Sequence, residues 1–433
     1  MIDALRADRV LGDNRDCVTP ALDSLRQRST SFSHAFATAS MTTCCTASIL
    51  SGTYPFVHGI RSLADHRFRT DLPTLAEAFA AGNYFTWAEV TGPLLPQVGL
   101  NRGFRHYAHR DYGDTLDTEW GGKFLAQLSD FPQPWFGLLH LWELHHPRRV
   151  LPSFDMPEYG KNVYDRAVSS LDQQLAQLFA SLPENTAIVL TGDHGEYLSA
   201  EGTTDQVARL KKSFKWIKQW VPAARKLKRL TPFLFSTIDR LGKQENGLYY
   251  HWLGHGFHVY DYLTHVPFLF HSPGLFPEGK VVDQLVSHVD IFPTLASAFA
   301  LPLSPGEASG IDLMPLTNGL EPRTFHRSLY MEASGGRIMP EPQQWLSAIR
   351  TDRYKYVTGL FNKTIPEELY DLELGEGEEQ NVLEQLPEVG AALREELAAM
   401  LVASPIEPEA ATAYADAELD ELQQQLRRLG YFD

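Results

Sequence analysis

Four short apolar runs punctuate this chain, at residues 84–90, 135–141, 187–190 and 266–271, each bounded by Gly, Pro or Asn. Their lengths and near-continuous apolar character predict strands buried on both faces. Between the runs the period changes. Over residues 164–182, Val168, Leu171, Leu175 and Leu178 recur at helical spacing, and helices are also predicted over 74–81 and 289–299. Strands alternating with helices imply an α/β architecture: a mostly parallel sheet covered on both faces. From about Ser328 the texture differs. Residues 347–360 alternate as an antiparallel hairpin does, turning near Thr351 and Asp352. A Glu-rich stretch, a helix over 388–401, a linker at 404–409 and a final acidic helix over 415–429 follow. The chain thus divides into a large domain, 1–327, and a smaller one, 328–433.

A length of 433 residues, with 43% hydrophobic and 21% charged positions, leaves room for such a pair of units. No apolar run reaches the roughly 18 residues needed to cross a membrane as a helix. The opening residues do not read as a secretory leader, so the chain as it stands is expected to be cytoplasmic. Asp3 has only Met1 and Ile2 before it. A strand carrying such a residue is expected to start further upstream, so the N-terminus reads as truncated and the compartment stays open. Cys17, Cys44 and Cys45 do not form a disulfide framework; the adjacent pair reads as small buried hydrophobes.

The formal charge of -16 argues against nucleic acid as a general partner. One segment opposes that charge. Between Val207 and Leu230 there are nine Lys or Arg and no Asp or Glu. Val207, Leu210, Phe214, Ile217 and Val221 make one face of this stretch apolar, so a basic helical insertion is expected over about 200–250. It reads as a solvated helix packed on the domain, as a lid drawing in an anionic substrate, or as a helix lying on an anionic membrane from Val207 to Phe235, with Trp216 and Trp220 at headgroup level.

Four segments carry residues suited to one metal-assisted ester cleavage. In I-D-A-L-R-A-D, residues 2–8, Asp3 is placed as a strand-end carboxylate facing a ligand crevice, or as a turn cap. Thr42 precedes a helical stretch over 43–51 that Gly52 stops. Its hydroxyl sits where helix N–H groups favour an anion, or serves as an N-cap. In T-G-D-H-G-E, residues 191–196, Asp193 and His194 supply an oxygen and a nitrogen after a buried strand, a donor pair suited to Zn or Mn. His145 and His146 follow the 135–141 run, and His251, His255 and His258 precede the 266–271 run. Such imidazoles can protonate a leaving group or bind a substrate oxygen, with His145 and His255 nominated first.

The segment A-S-M-T-T-C-C-T-A-S-I-L-S-G-T-Y-P-F-V-H-G, residues 39–59, resembles the nucleophile segment of the sulfatase family within the alkaline phosphatase superfamily. Further matches run along nearly the whole chain: T-P-x-L-D at 19–23, G-L-x-R-G-F at 99–104, D-H-G-E at 193–196, V-P-F-L-F at 266–270, D-I-F-P-T-L at 290–295, R-T-D-R-Y-K-Y at 350–356 and L-R-R-L-G-Y at 426–431. The resemblance implies an alkaline-phosphatase-like sandwich with a smaller C-terminal subdomain on an antiparallel sheet. It also implies that Asp3, Thr42, Asp193 and His194 hold one divalent metal, with a second metal left open. Thr42 takes the nucleophile position, and His145 and His255 lie near the leaving group. Ala4 stands where a calcium-type Asp pair has its second Asp, which favours Zn or Mn over Ca.

Three departures bear on the chemistry. The family pattern is C-x-P-S-R-x-x-x-x-T-G, its Cys becoming formylglycine. Here Thr42 stands ten residues before Gly52, Thr46 replaces the Arg, and the Lys common before the V-P strand is absent. A shifted register nominates Cys45 instead, at the cost of the Gly and Arg spacing. A simple Thr favours phosphoester or phosphonate chemistry, as a hydrolase or transferase on an anionic ester substrate. Sulfuric ester hydrolysis is the alternative. A catalytically silent relative that binds an anionic glycan or lipid is the reading from another class. Oligomeric state is left open.

Overall fold

The computed structural model describes residues 1–12, 15–63, 67–198, 255–303, 306–320, 326–334, 345–374, 378–402, 414 and 416–428. The basic insertion, with its lid and membrane readings, His251 and the 404–409 linker lie outside the described residues.

Two sets of strands build the large domain. β1 (Thr30–Phe36), β2 (Phe85–Val90), β3 (His106–His109), β4 (Trp135–Leu139), β5 (Ile188–Thr191), β6 (Phe268–His271) and β7 (Val281–Ser287) are arranged as β3-β2-β4 and β5-β6-β1-β7. Ile2 joins the sets. It makes parallel bridges to Leu141, just past β4, and to Gly192, just past β5. Its N–H donates to the Thr191 carbonyl, and the Asp3 N–H donates to that of Leu141. Below Ile2 the edges of β4 and β5 diverge around an apolar cavity of about 630 Å³ lined by Trp87, Trp135, Leu138, Leu178 and Ile188 among others.

The sheet is mostly parallel, as the alternation of strands and helices requires, but β6 runs antiparallel to both β1 and β5. The four apolar runs fall on β2, β4, β5 and β6. β1 and β7 escape a hydrophobicity reading because T-S-F-S-H-A-F and V-V-D-Q-L-V-S carry polar residues throughout. β7 is an edge strand, and local exposure at Ser33, His34, Val281 and Asp283 accounts for the mixture.

Helices cover both faces: α1 (Pro20–Gln27), α2 (Thr42–Ser51), α3 (Pro55–His58), α4 (Leu75–Ala81), α5 (Glu119–Gln127) and α6 (Val163–Ser181). α6 is N-capped by Asn162, whose side chain accepts the Asp165 N–H. Val168, Leu171, Leu175 and Leu178 then bury one stripe against Leu5, Leu22, Leu141 and Leu190. On the opposite face α2, α4 and the helix Ile291–Ala298 enclose Phe32, Leu50, Phe79 and Phe292. α4 opens with a reciprocal Thr74–Glu77 capping box.

The C-terminal sheet is antiparallel, in the order β11 (Glu368–Asp371), β10 (Tyr354–Gly359), β9 (Leu346–Arg350), β8 (Leu329–Ala333). The expected hairpin is β9–β10, turning through Thr351, Asp352 and Arg353. Helix Pro387–Val402 packs Leu393 and Leu397 on this sheet. Helix Asp416–Arg428 instead returns to the large domain, burying Leu422 and Leu426 in its core. Buried ions tie the units together. Arg61 forks onto Glu332, at 3.1 and 2.6 Å. The fully buried Lys355 reaches the Val259 carbonyl at 2.8 Å, Glu378 at 2.7 Å, and Asp261.

His58 ends α3 with its ring completely buried. The Ile60 N–H donates to Nδ1 at 3.2 Å, and Nε2 faces Ser48 Oγ at 3.1 Å. Nδ1 must therefore be unprotonated. Burial, aided by the Arg61 charge, brings the ring down to about 3 from its ordinary 6.5. The unfolded chain binds more protons here between those two values, so this group makes the fold lose stability as pH falls through that window. His58→Gln is expected to flatten the dependence of unfolding free energy on pH near 5 by up to one proton, about 1.4 kcal/mol per pH unit. Urea melts between pH 4.5 and 7 measure this, and an unchanged slope refutes the assignment.

Candidate active site

The two-sided bridging of Ile2 delivers Asp3 to the C-terminal ends of β4 and β5, where open α/β sheets bind ligands. The chain turns sharply there. Ala4 adopts φ +55°, and its N–H donates to Asp193 Oδ1 at 3.0 Å. Its carbonyl accepts the Tyr164 hydroxyl at 2.6 Å. Gly192 is needed at this crossing, since a Cβ would lie 2.4 Å from the Leu5 carbonyl oxygen.

Thr42 is the first residue of α2, one position earlier than the sequence pattern suggested. Its Oγ1 donates to Asp3 Oδ2 at 3.1 Å and lies 3.4 Å from His194 Nε2. The His194 Nδ1 faces the Gly195 carbonyl at 2.7 Å, which places the proton on Nδ1 and the lone pair of Nε2 toward Thr42. The opening turn of α2 adds its N–H groups and the positive end of its dipole to the same spot. Asp3, Thr42, Asp193 and His194, far apart in sequence, thus meet in one buried cluster.

The cluster is electrostatically incomplete. Among the described residues, Asp3 Oδ1 and Asp193 Oδ2 are buried without a hydrogen-bond partner. Burial first, and then the charge of Asp193, push Asp3 well above the ordinary carboxylate range. Against the same burial, His194 and His140 hold Asp193 below it. Two adjacent carboxylates with open lone pairs, beside an imidazole lone pair and a hydroxyl, fit a divalent cation with mixed oxygen and nitrogen donors.

His145 and His255 adjoin this cluster. The His255 ring stacks on His194, with centroids 4.5 Å apart, and lies 5.5 Å from the His145 ring. His145 stacks on Trp142 at 3.9 Å. Burial, reinforced by His255, brings His145 down to about 3, so it is a neutral ring. His255 is raised: burial opposes its charge, but Glu196 Oε2, 3.6 Å from Nδ1, outweighs it. The same Glu196 oxygen lies 3.6 Å from Arg148, and the carboxyl sits at about 2 against its own burial.

The other candidates separate from the site. His146 is exposed. His258 is buried elsewhere, bonded to Glu368 at 3.0 Å and stacked on Tyr260. Cys45 donates to the Ala39 carbonyl at 3.0 Å, and burial pushes its thiol far up, so it is not an activated nucleophile. The Thr46 hydroxyl turns back to the Thr42 carbonyl at 2.8 Å and brings no cation.

Sequence reasoning passed over His140, Glu196 and Arg148. His140 hides inside an apolar run that reads as strand. Glu196 stands in the quoted T-G-D-H-G-E, and Arg148 directly follows H-H-P, but neither shows in sequence which groups it faces.

Residues 1–301 match the Sulfatase family model, and residues 247–403 match the model for the C-terminal part of N-sulphoglucosamine sulphohydrolase. The chain is 24% identical to the Delta 4,5-hexuronate-2-O-sulfatase of Bacteroides thetaiotaomicron, over 86% of this chain and 80% of that protein. It is 30% identical to human Arylsulfatase K over 32% of this chain and 26% of that one. Its fold superposes on a phosphonate monoester hydrolase from Silicibacter pomeroyi with a TM-score of 0.68, at 18% identity, covering 94% of this chain and 95% of that chain. A 2-O GAG sulfatase gives 0.66 at 18% identity, covering 97% and 94%. With its α/β sandwich, its antiparallel C-terminal sheet and a family match over most of its length, the chain belongs to the sulfatase family and is an ester hydrolase.

Proposed function

We propose that this ester hydrolase uses Thr42 Oγ1 as its nucleophile on phosphoesters or phosphonate esters, releasing the product to water or to a second alcohol. The position of that hydroxyl carries the reading: it lies between Asp3 Oδ2 and His194 Nε2 at the start of α2. Asp3, Thr42, Asp193 and His194 would hold a divalent cation of the Zn or Mn type. When bound, such a cation lowers the pKa of the hydroxyl and offsets charge on the ester.

The chain's own groups account for the proton movements. Asp3 Oδ2 already accepts the Thr42 hydrogen bond and is placed to take its proton as Oγ1 bonds to phosphorus. The bond from phosphorus to the leaving oxygen breaks. His255, whose protonated form Glu196 favours, delivers a proton to that oxygen. His145, a neutral ring beside it, is placed to bind a substrate oxygen. Water, or an acceptor alcohol, then attacks the phospho-Thr42 while the now neutral His255 takes its proton; the bond from phosphorus to Oγ1 breaks and Asp3 returns its proton to Oγ1.

The choice of phosphorus rests on what a simple Thr can do. A formylglycine hydrate sheds its sulfate by elimination, using its second hydroxyl. Thr42 has no second hydroxyl, so its ester must be attacked at the central atom, a route well suited to phosphoryl groups. Sulfuric ester cleavage on an anionic glycan is the second reading, supported by the likeness to the hexuronate sulfatase over most of the chain.

Thr42→Ala is expected to lower kcat/KM by roughly 10³-fold or more with bound metal per chain unchanged, while Thr42→Ser keeps measurable turnover. Full activity in Thr42→Ala sinks the nucleophile assignment. In a panel of aryl phosphonate, phosphodiester, phosphate monoester and aryl sulfate, a phosphorus ester is expected to turn over fastest; a clear sulfate preference supports the second reading instead. Chelation is expected to abolish turnover, with Zn or Mn restoring it and Ca failing, as read by activity and metal analysis on the same samples.

A further inference from the structure

We propose that His140 Nε2 is a direct donor to the cation, an imidazole contributed by the end of β4 to the set already formed by Asp3, Thr42, Asp193 and His194. This rests on the metal dependence of the proposed function and specifies its coordination.

The first observation is geometric. His140 immediately follows β4, on the sheet neighbour of the Ile2 bridge, so its ring shares the strand-end crevice with Asp3. Nε2 lies 3.6 Å from Asp3 Oδ2. One donor atom each from Asp3, His140 and Asp193 all fall within 4.8 Å of one another. Donors around a single ion with bonds of about 2.0–2.2 Å sit roughly 3–4 Å apart, so little movement would bring these three onto one centre.

The second observation concerns unmet bonding. His140 is completely buried, and among the described residues neither ring nitrogen has a hydrogen-bond partner of normal geometry. Thr91 bears on the ring only as a looser backbone contact. A buried imidazole left this way costs about 1–3 kcal/mol per unmade bond unless something else occupies its lone pair. Asp3 Oδ1 and Asp193 Oδ2 are unpartnered in the same space. Three orphaned donors, from three separate strand ends, converge there.

The third observation is that the ring is held. Trp142 meets it edge to face at 5.7 Å, and Arg110 bonds the His140 carbonyl while stacking over Trp120. Ala4, meanwhile, offers only its backbone N–H to Asp193. The carboxylate that its position could have supplied is absent. With His140, the set has two carboxylates and two neutral imidazoles, so its charge balances a divalent ion. Two nitrogens favour Zn, Co or Mn over Ca.

The test counts nitrogens. X-ray absorption on the zinc-loaded wild-type protein is expected to show two imidazoles on the metal. In parallel, His140→Ala and His140→Gln are expected to weaken Co(II) binding by at least roughly 10–100-fold and to alter the Co(II) visible spectrum. Wild-type and variant stability without metal serves as the folding control. Metal bound through one imidazole, with a Co(II) spectrum unchanged in the variants, overturns the role of His140 and leaves the metal dependence standing. Failure of the wild-type protein to bind Zn or Co at all overturns both.

Discussion

Two carboxylates, Asp3 and Asp193, are buried side by side with open lone pairs, and the architecture exists to keep them there. Like charges out of water repel strongly and lose their hydration, so this arrangement is unfavourable without a compensating cation. What enforces it is the backbone. Ile2 is bonded on both sides, toward β4 and toward β5, and Asp3 and Asp193 follow directly from those bonds. The Ala4 N–H then fixes the Asp193 carboxylate from below. The sheet thereby stores an electrostatic demand that a divalent cation would meet.

The helical layers answer the same demand from the other side. α2 is buried along its whole length, so its N-terminus cannot drift from the strand ends. That fixes Thr42 over the carboxylates and leaves Cys44 and Cys45 in the core as apolar filling. The residue that departs from the formylglycine pattern thus sits at a well-packed helix start. A hydroxyl stands at the start of α2 over the carboxylates, and both thiols beside it are buried.

The C-terminal sheet contributes at a distance. Lys355, with no exposed surface, bonds the loop that leads from His258 into β6, and Arg350 grips Asp261 in the same loop. That loop also presents His255 to His194 and Glu196. Removing one partner from such a buried ionic set leaves the others uncompensated, a cost of about 3–5 kcal/mol. The smaller sheet thus braces one wall of the site.

Local pattern was enough for much of this. The apolar runs marked β2, β4, β5 and β6, the period of Val168, Leu171, Leu175 and Leu178 marked α6, and alternation marked the β9–β10 hairpin. Motif order identified the family, and residue type at strand and helix ends picked out Asp3, Thr42, Asp193 and His194. Periodicity reports how a residue relates to its own element's buried face. It does not report what faces it from another element. So β1 and β7, whose mixed patterns reflect exposed positions and bonds across the sheet such as Ser33 to Asp283, were illegible. So were His140, which looked like one more strand residue, and the pairing of Glu196 with Arg148 and His255. The removal of His258 from the site, the antiparallel course of β6 and the convergence of three unpartnered donors depend on backbone hydrogen bonds between distant segments. Only the assembled sheet brings those segments into contact, and only burial there makes their unmet charge count.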